Sequence, residues 1–587
     1  MKKIILLISV FFLAITVSAK TIYVTTDGNN SNDGLTWDKA VSDLITAYSK
    51  ANAGDQIWMA GGVYAFTQTI NMIDQVDIYG GFEKGAASID SRTRPDAENE
   101  PWKFTNETVL TIDMPATYRP IDRVDKDTPW KGATIDGITL KDIETSNGRV
   151  AYLNDGVTLQ NCAVINCSST NTHIYFERNC TARNCLFEKN YSQSGSNGVS
   201  LQLRGSKENE KGNSVIDCVF RDNRCESLSI YNTGEKGTTP GKHSVSNSIF
   251  TNNKEKCIIL NEQAGREIEI SGCLFEGNEA ASVATTNAQG TIITGGSTGD
   301  CNIINCIIRN NKNTAASDSD WKNNLIYLSS GTVKMMNCLI TNNSSNKLLI
   351  YNIGGMFNCT ITNNKGSIYG TLYATFMNNA IIGNEATEGN KVIAMDSESS
   401  CYLVNNAVNS SSDIAQGGEM TEIRGTIETG SSAFVSATSF VGAATNSTQQ
   451  EEIYKADFSL SSGSPCINAG ETQELEAFVG SIYSTLFQKD LAGNNRFSAD
   501  NKINIGAYQG GSSSAVGTEI EDVIKIYNSK DGIIISTPSN QLVNIYNITG
   551  ACIYSNPVEA GENFIAVHAK GIYLVKIGQR TYKTIVQ

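Results

Sequence analysis

Apolar and polar residues alternate with a period of two along most of this chain, in short runs that recur. Between residues 157 and 409 one phrase returns ten times. It reads Gln160-Asn161-Cys162-Ala163-Val164, then Arg183-Asn184-Cys185-Leu186-Phe187 and Ile216-Asp217-Cys218-Val219-Phe220, with further copies centred on Ser248, Cys273, Cys306, Cys338, Cys359, Asn379 and Asn406. With the Cys position taken as zero, small or apolar residues fall at −5 and −3 and again at 0 and +2, as in Val333, Met335, Cys338 and Ile340. Period two marks a strand with one buried face. The parity changes across the Asn at −1, which a strand cannot do without a bend. Asn tolerates the left-handed backbone such a bend needs. A second Asn ladder stands at +5 (Asn190, Asn223, Asn253, Asn278, Asn311, Asn343, Asn364 and Asn384), and runs such as Leu228-Ser229-Ile230-Tyr231 supply a third strand. Copies 20 to 33 residues apart are one supersecondary unit stacked on itself. The expected fold is all-β: a single-stranded right-handed parallel β-helix with three strands per coil, extending roughly 50 Å over ten coils.

Two features qualify this pattern. The outward position −2 turns apolar in the later coils, at Ile304, Met336, Phe357, Met377 and Val404. Stacked, these make a stripe that soluble proteins rarely leave bare, so the segment 410–515, the tail or a partner chain is expected to cover it. Near the N-terminus, Ala40, Val41, Leu44, Ile45, Ala47 and Tyr48 follow a helical period, predicting a helix over 36–52 that Thr36 caps and Gly54 stops. An open β-helix end exposes strand edges, and this helix is the expected lid.

Several phrases resemble a known group. Thr21-Ile22-Tyr23-Val24, Ala53-Gly54-Asp55-Gln56-Ile57-Trp58, Gly61-Gly62-Val63-Tyr64 and Ile78-Tyr79-Gly80-Gly81-Phe82 look like the start of pectin-lyase-like right-handed β-helix proteins. Asp457-Phe458-Ser459-Leu460, Ser464-Pro465-Cys466-Ile467-Asn468-Ala469-Gly470 and Asn504-Ile505-Gly506-Ala507-Tyr508 resemble their closing coils. The resemblance implies the fold; the group hosts lyases, hydrolases, epimerases and adhesins, so it names no activity. The tail residues Val543-Asn544-Ile545-Tyr546-Asn547-Ile548-Thr549-Gly550 and Lys570-Gly571-Ile572-Tyr573-Leu574-Val575-Lys576-Ile577 are similar to the C-terminal sorting domain of type IX secretion. Asn528-Ser529-Lys530 stands where that family has a Pro-Asn-Pro-like turn. The domain reading is a leader over 1–19, an N-terminal cap with first coils over 20–145, the β-helix over 146–510, a Gly/Ser-rich linker over 511–522 and a small β-sandwich over 523–587.

The leader reading rests on Lys2 and Lys3, the apolar run Ile4 to Val17 and the small residues to Ala19. It places the mature chain outside the cytoplasm, secreted or at the outer cell surface. The formal charge of −14 repels nucleic acid and anionic membrane. Fifteen cysteines in an exported chain raise the prospect of disulfides. Most of them fall at repeat positions 0 and −5, and Ser248 and Asn379 replace Cys at position 0, so a core ladder of free thiols is the better reading.

The candidate chemistry is sparse. The Arg-x-Pro-x-x-Arg pattern of pectate lyases is absent, since Arg119-Pro120-Ile121-Asp122-Arg123 lacks its spacing, and no Gly-His-Gly occurs. Three histidines make metal clusters and Ser/His/Asp triads improbable. Arg221 and Arg309 fall at +3 and are expected outside; with Arg204 they are candidates for a sugar-acid face, and Trp321 for stacking on a sugar ring. Asp27, Asn29, Ser31 and Asp33 space oxygens as calcium loops do, although the Gly an EF-hand loop needs is Asn32, and Asx-bonded turns explain the spacing as well. No other cofactor is implied. The functional expectation is an exported β-helix protein engaging extracellular polysaccharide or another surface component, with no catalytic site assignable. A polysaccharide lyase or hydrolase, and a structural adhesin, are the alternatives.

Overall fold

The computed structural model describes residues 19–123, 130–193, 198–205, 212–232, 241–262, 267–280, 290–297, 299–313, 324–329, 333–387, 391–395, 397–480 and 483–509, and seven tail strands between 525 and 586. They divide into two compact units, one within Met1–Ile453 and Phe458–Ser513, the other within Tyr454–Asp457 and Ser514–Gln587.

The larger unit is a right-handed parallel β-helix. Each coil runs through a first strand, an Asn corner, a second strand, another corner and a third strand. The first strands stack in register, as in Thr158–Gln160 on Thr181–Arg183 and then Ser214–Ile216. The second strands form fourteen parallel rungs from Gly62–Ala65 to Ile427–Glu428. The third strands stack likewise, Arg149–Leu153 on Thr172–Phe176 on Val199–Leu203. In the coils of Ser344–Phe357 and Lys365–Met377 no loop intervenes, and a third strand fuses with the first strand that follows.

Local chemistry fixes the corners. The −1 residues Asn161, Asn184, Asp217, Asn247, Asn305, Asn337, Asn358, Asn378 and Asn405 all have φ between 49° and 59°, the left-handed region where an Asx side chain is least strained. At the second corner the +5 amides turn inward and bond vertically: Asn253 Nδ2 donates to Asn278 Oδ1 (2.9 Å) and to Phe220 O (2.9 Å), while its Oδ1 accepts from Asn223 N (3.1 Å). The dry interior stacks like on like. Phe187, Phe220, Phe250 and Phe275 stack at 4.6–4.9 Å between successive ring centroids, their planes nearly parallel. All the cysteines are free thiols, and all but Cys552 are buried.

Two departures from the sequence pattern have physical causes. The predicted helix over 36–52 is shorter. Thr36 caps only the 3-10 turn Trp37–Lys39, and the α-helix Leu44–Lys50 is capped by Asp43, whose Oδ1 accepts from Thr46 N. Between them the chain is extended, because Val41 bonds alongside Tyr23 and Val24 as an added edge. The helix still buries Leu44, Ala47 and Tyr48 in the end of the core. At the other end the first- and second-strand ladders stop at Glu422–Arg424 and Ile427–Glu428, and the residues that follow fold back along the outside of earlier coils instead of adding new ones. Leu475, Val479, Phe487 and Ile503 thereby bury Ile304, Met336, Phe357, Met377 and Val404 in one cluster, with Arg496 Nη1 and Nη2 donating to the carbonyls of Gly506 and Ala507.

The smaller unit has two antiparallel sheets. One pairs Lys525–Ser529, Gly532–Thr537 and Gly561–Ala566; the other pairs Cys552–Val558, Gln541–Asn547, Gly571–Ile577 and Arg580–Val586. Ile533, Ile535, Val543, Ile545, Val575 and Ile577 share its core.

Candidate functional site

The outer face of the third strands carries a dense polar cluster. Ile121 pairs with Ala151, and Tyr152 with Tyr175 and then Gln202, so Asp122, Tyr152, Tyr175 and Gln202 form one outward column. The Tyr152 and Tyr175 rings stack at 4.8 Å. Guanidinium groups lie against them: Arg149 is 4.1 Å from the Tyr175 centroid, and Arg119 and Arg123 are 5.1 and 5.3 Å from that of Tyr152. Tyr152 Oη donates to Glu177 Oε2 (2.7 Å), Arg204 Nη1 to Tyr175 Oη (2.9 Å), and Arg119 Nη1 to Asp122 Oδ2 (2.7 Å). Among the described residues of this patch, Arg119, Arg123, Arg149 and Arg204 thus outnumber Asp122 and Glu177. Among the described residues no carboxylate pairs with Arg149, and the Nε atoms of Arg119 and Arg149 are buried without a hydrogen-bond partner.

This arrangement suits capture of an anion. Guanidinium planes held on aromatic faces present forked donors that match a carboxylate. Burial pushes the Tyr175 phenol up to about 12 and raises Tyr152 as well, with Glu177 adding to both. The phenols therefore stay protonated at neutral pH and act as hydrogen-bond donors, not as bases.

The sequence candidates fall elsewhere, with one exception. Arg204 belongs to this cluster. Arg221, on the outer face of the second strands, is half-buried with its Nε 2.6 Å from Glu188 Oε1. Arg309, expected outside by parity, is buried: its side chain is 7% exposed and paired with Glu276 at 2.7 Å. Parity places it on the outer side correctly, but the returning chain covers that corner, where Ala444 N donates to Asn310 Oδ1. The three arginines therefore form no common face. Trp321 and His568 lie outside the described residues. In the acidic loop, Asn29 Oδ1 accepts from Ser31 N, Asp33 Oδ1 from Leu35 N, and Asp27 pairs with Lys84 at 2.8 Å. Its oxygens are thus turned to backbone amides and a lysine. Among the described residues no group of three or more His, Cys, Asp or Glu is placed to hold a metal ion. His173 is fully buried, its ring nitrogens 3.0 and 3.2 Å from the carbonyls of Val199 and Tyr191. Sequence reasoning passed over Arg119 and Arg123 because their spacing fits no lyase pattern. Arg149-x-x-Tyr152 carried the usable signal, a basic and an aromatic residue on a strand whose coil neighbour is Tyr175.

No family model matches the chain, and no curated protein matches it in sequence. Among solved structures it is similar to a rhamnogalacturonan lyase (15% identity, 72% of this chain and 91% of that one, TM-score 0.32). It is also similar to the catalytic unit of a GH87 α-1,3-glucanase from Streptomyces thermodiastaticus (13%, 63% and 65%, TM-score 0.34). A third is a PL6-family alginate lyase (14%, 69% and 54%, TM-score 0.32). The β-helix itself is defined by the strand register above, independently of these similarities, and among the described residues no helix is long and apolar enough to cross a membrane.

Proposed function

We propose that this is an exported β-helix protein that engages an acidic extracellular glycan through the Arg–Tyr face of its third strands. One observation carries the reading: Arg149 lies on Tyr175 with no carboxylate partner among the described residues. A guanidinium held on an aromatic face without a counter-charge presents forked donors to a sugar carboxylate. Export through residues 1–19 and recognition of the tail by a secretion machinery belong to the same proposal. The test is binding of the full chain to polygalacturonate and to neutral xylan. Acidic glycan alone should be retained, and Arg149→Ala should weaken that retention about tenfold or more. Equal retention of both glycans, or an unaffected Arg149→Ala protein, overturns the reading.

A second reading, a polysaccharide lyase or hydrolase, is favoured by one observation. Glu226 lies in a third strand, 3.3 Å from Lys256 Nζ, and burial holds it and neighbouring Glu255 above the usual carboxylate range against the pull of Lys256. Carboxyl groups tuned this way can serve as acids. Absorbance at 235 nm and reducing ends, followed together on the same glycans, decide it. Activity lost in Glu226→Gln would establish the enzyme; silence in both channels would leave a binding protein.

A further inference from the structure

The second corner of the coil, between the second and third strands, carries an open furrow. Its walls are two outward columns, the left-handed residues at +4 and the residues at +6. Two concavities lie on consecutive coils of this corner. One, of ≈ 780 Å³, is lined by Asn166, Lys189, Tyr191, Ser192, Asp222 and Arg224. The other, of ≈ 360 Å³, is lined by Asn252, Gly277, Glu279, Asn310 and Lys312 on the coils and by residues 444–447 and Gln450 of the returning chain. The coils of Asp222 and Asn252 are adjacent, because Arg221 pairs with Thr251. The two concavities therefore follow one another along the same corner, and five coil steps from Asn166 to Asn310 span about 24 Å.

Its chemistry differs from end to end. Lys189 and Arg224 are exposed and form no ion pair among the described residues, and Asp222 is the one carboxylate lining that concavity. Farther along, Lys254 and Glu279 neutralise each other at 3.3 Å. Beyond them the lining is chiefly amide and hydroxyl, from Asn252, Asn310, Thr445, Asn446, Ser447 and Gln450, with Lys312 the cation at that end. Gly277 interrupts the Asn column there, at φ +64°, and a Cβ on it would stand 2.7 Å from Asn252 Oδ1, so the glycine keeps the floor low. Its apolar surface comes from the Tyr191 ring and the stems of polar side chains, and no large aliphatic residue lines it, which disfavours a peptide anchored by side chains. Rows of amides and hydroxyls match the hydroxyls of a sugar chain.

We infer that this corner furrow is a second glycan site, taking a linear acidic oligosaccharide along the helix axis. Its carboxylate-bearing sugars lie between Lys189 and Arg224, and its hydroxyl-rich end lies under residues 444–450. The inference rests on the acidic-glycan reading above and adds a separate place of binding. The repeat supplies substitutions that spare the fold. Lys189→Asn installs the residue most common at that left-handed corner, and Arg224→Ser the residue found at the same position in Ser168 and Ser344.

The experiment is calorimetric titration of the full chain with a polygalacturonate octasaccharide and a neutral xylan octasaccharide. Two acidic sites are expected on the wild type. The double variant Lys189→Asn/Arg224→Ser should lose one, its affinity falling about tenfold or more, while Arg149→Ala loses the other. A single site, lost in Arg149→Ala and unchanged in the double variant, overturns the furrow and leaves the first reading standing. No acidic binding at all overturns both. Equal binding of the neutral octasaccharide at the furrow site overturns its acidic assignment.

Discussion

The inward Asn ladder makes a quantitative prediction at Asn253. Its carboxamide accepts from Asn223 N (3.1 Å) and Asn223 Nδ2 (2.9 Å), and donates to Phe220 O (2.9 Å) and Asn278 Oδ1 (2.9 Å). Asn253→Leu keeps the branching at Cγ and removes all four bonds. Asn223 retains its bond to Phe187 O, and Asn278 its bond to Phe250 O. The backbone N–H of Asn223 is left unpaired in a dry interior, at ~1–3 kcal/mol, while the Phe220 carbonyl keeps its ladder bond from Thr251 and each of the other lost bonds costs about 0.5–1 kcal/mol. Burial of the Leu side chain offsets roughly 1–2 kcal/mol of this, so the expected loss is about 2–3 kcal/mol. Asn253→Asp should be worse at neutral pH, because a carboxylate cannot donate to Phe220 O or Asn278 Oδ1, and it should recover relative to wild type as acid protonates it. Urea unfolding followed by far-ultraviolet circular dichroism provides the midpoints. Exposed Lys254, the next residue, is the control: Lys254→Ala should change stability by no more than ~0.5 kcal/mol. If Asn253→Leu unfolds with the midpoint of Lys254→Ala, the vertical amide bonds are not what holds this corner.

Two further outcomes are expected. Burial pulls the His173 imidazole down to about 4 from 6.5, its bonds to Val199 and Tyr191 opposing. The unfolded chain therefore takes up this proton first; the stabilisation is complete above about 6.5 and is lost as pH falls toward 4, a change of about 3 kcal/mol. Unfolding of wild type and His173→Gln compared across that window checks it: parallel pH profiles would refute the assignment. Burial also pushes the Cys162, Cys167 and Cys180 thiols up to about 12, which leaves exposed Cys552 as the fast-reacting group. An aromatic disulfide reagent should titrate one thiol in the folded chain and all fifteen in denaturant without reductant. A smaller number in denaturant would mean disulfides.

The coil was legible in the sequence because everything that defines it is local or periodic. Alternation such as Val333, Met335 and Ile340 names the buried face. The parity switch at Asn161 or Asn337 names the corner, and recurrence of Cys and Phe at one position means that like residues stack. The sites were not legible. Arg119, Arg149 and Arg204 come from separate coils, and they meet only because parallel stacking sets strands about 4.8 Å apart whatever the length of chain between them. The furrow arises in the same way, from corner residues of six coils and a segment more than a hundred residues downstream. Parity told which side of its sheet Arg309 occupies, but not that the returning chain would bury that corner. A repeat states what each coil does to its neighbours; what the rest of the chain lays over the outside is a long-range choice, and only the tertiary structure makes it.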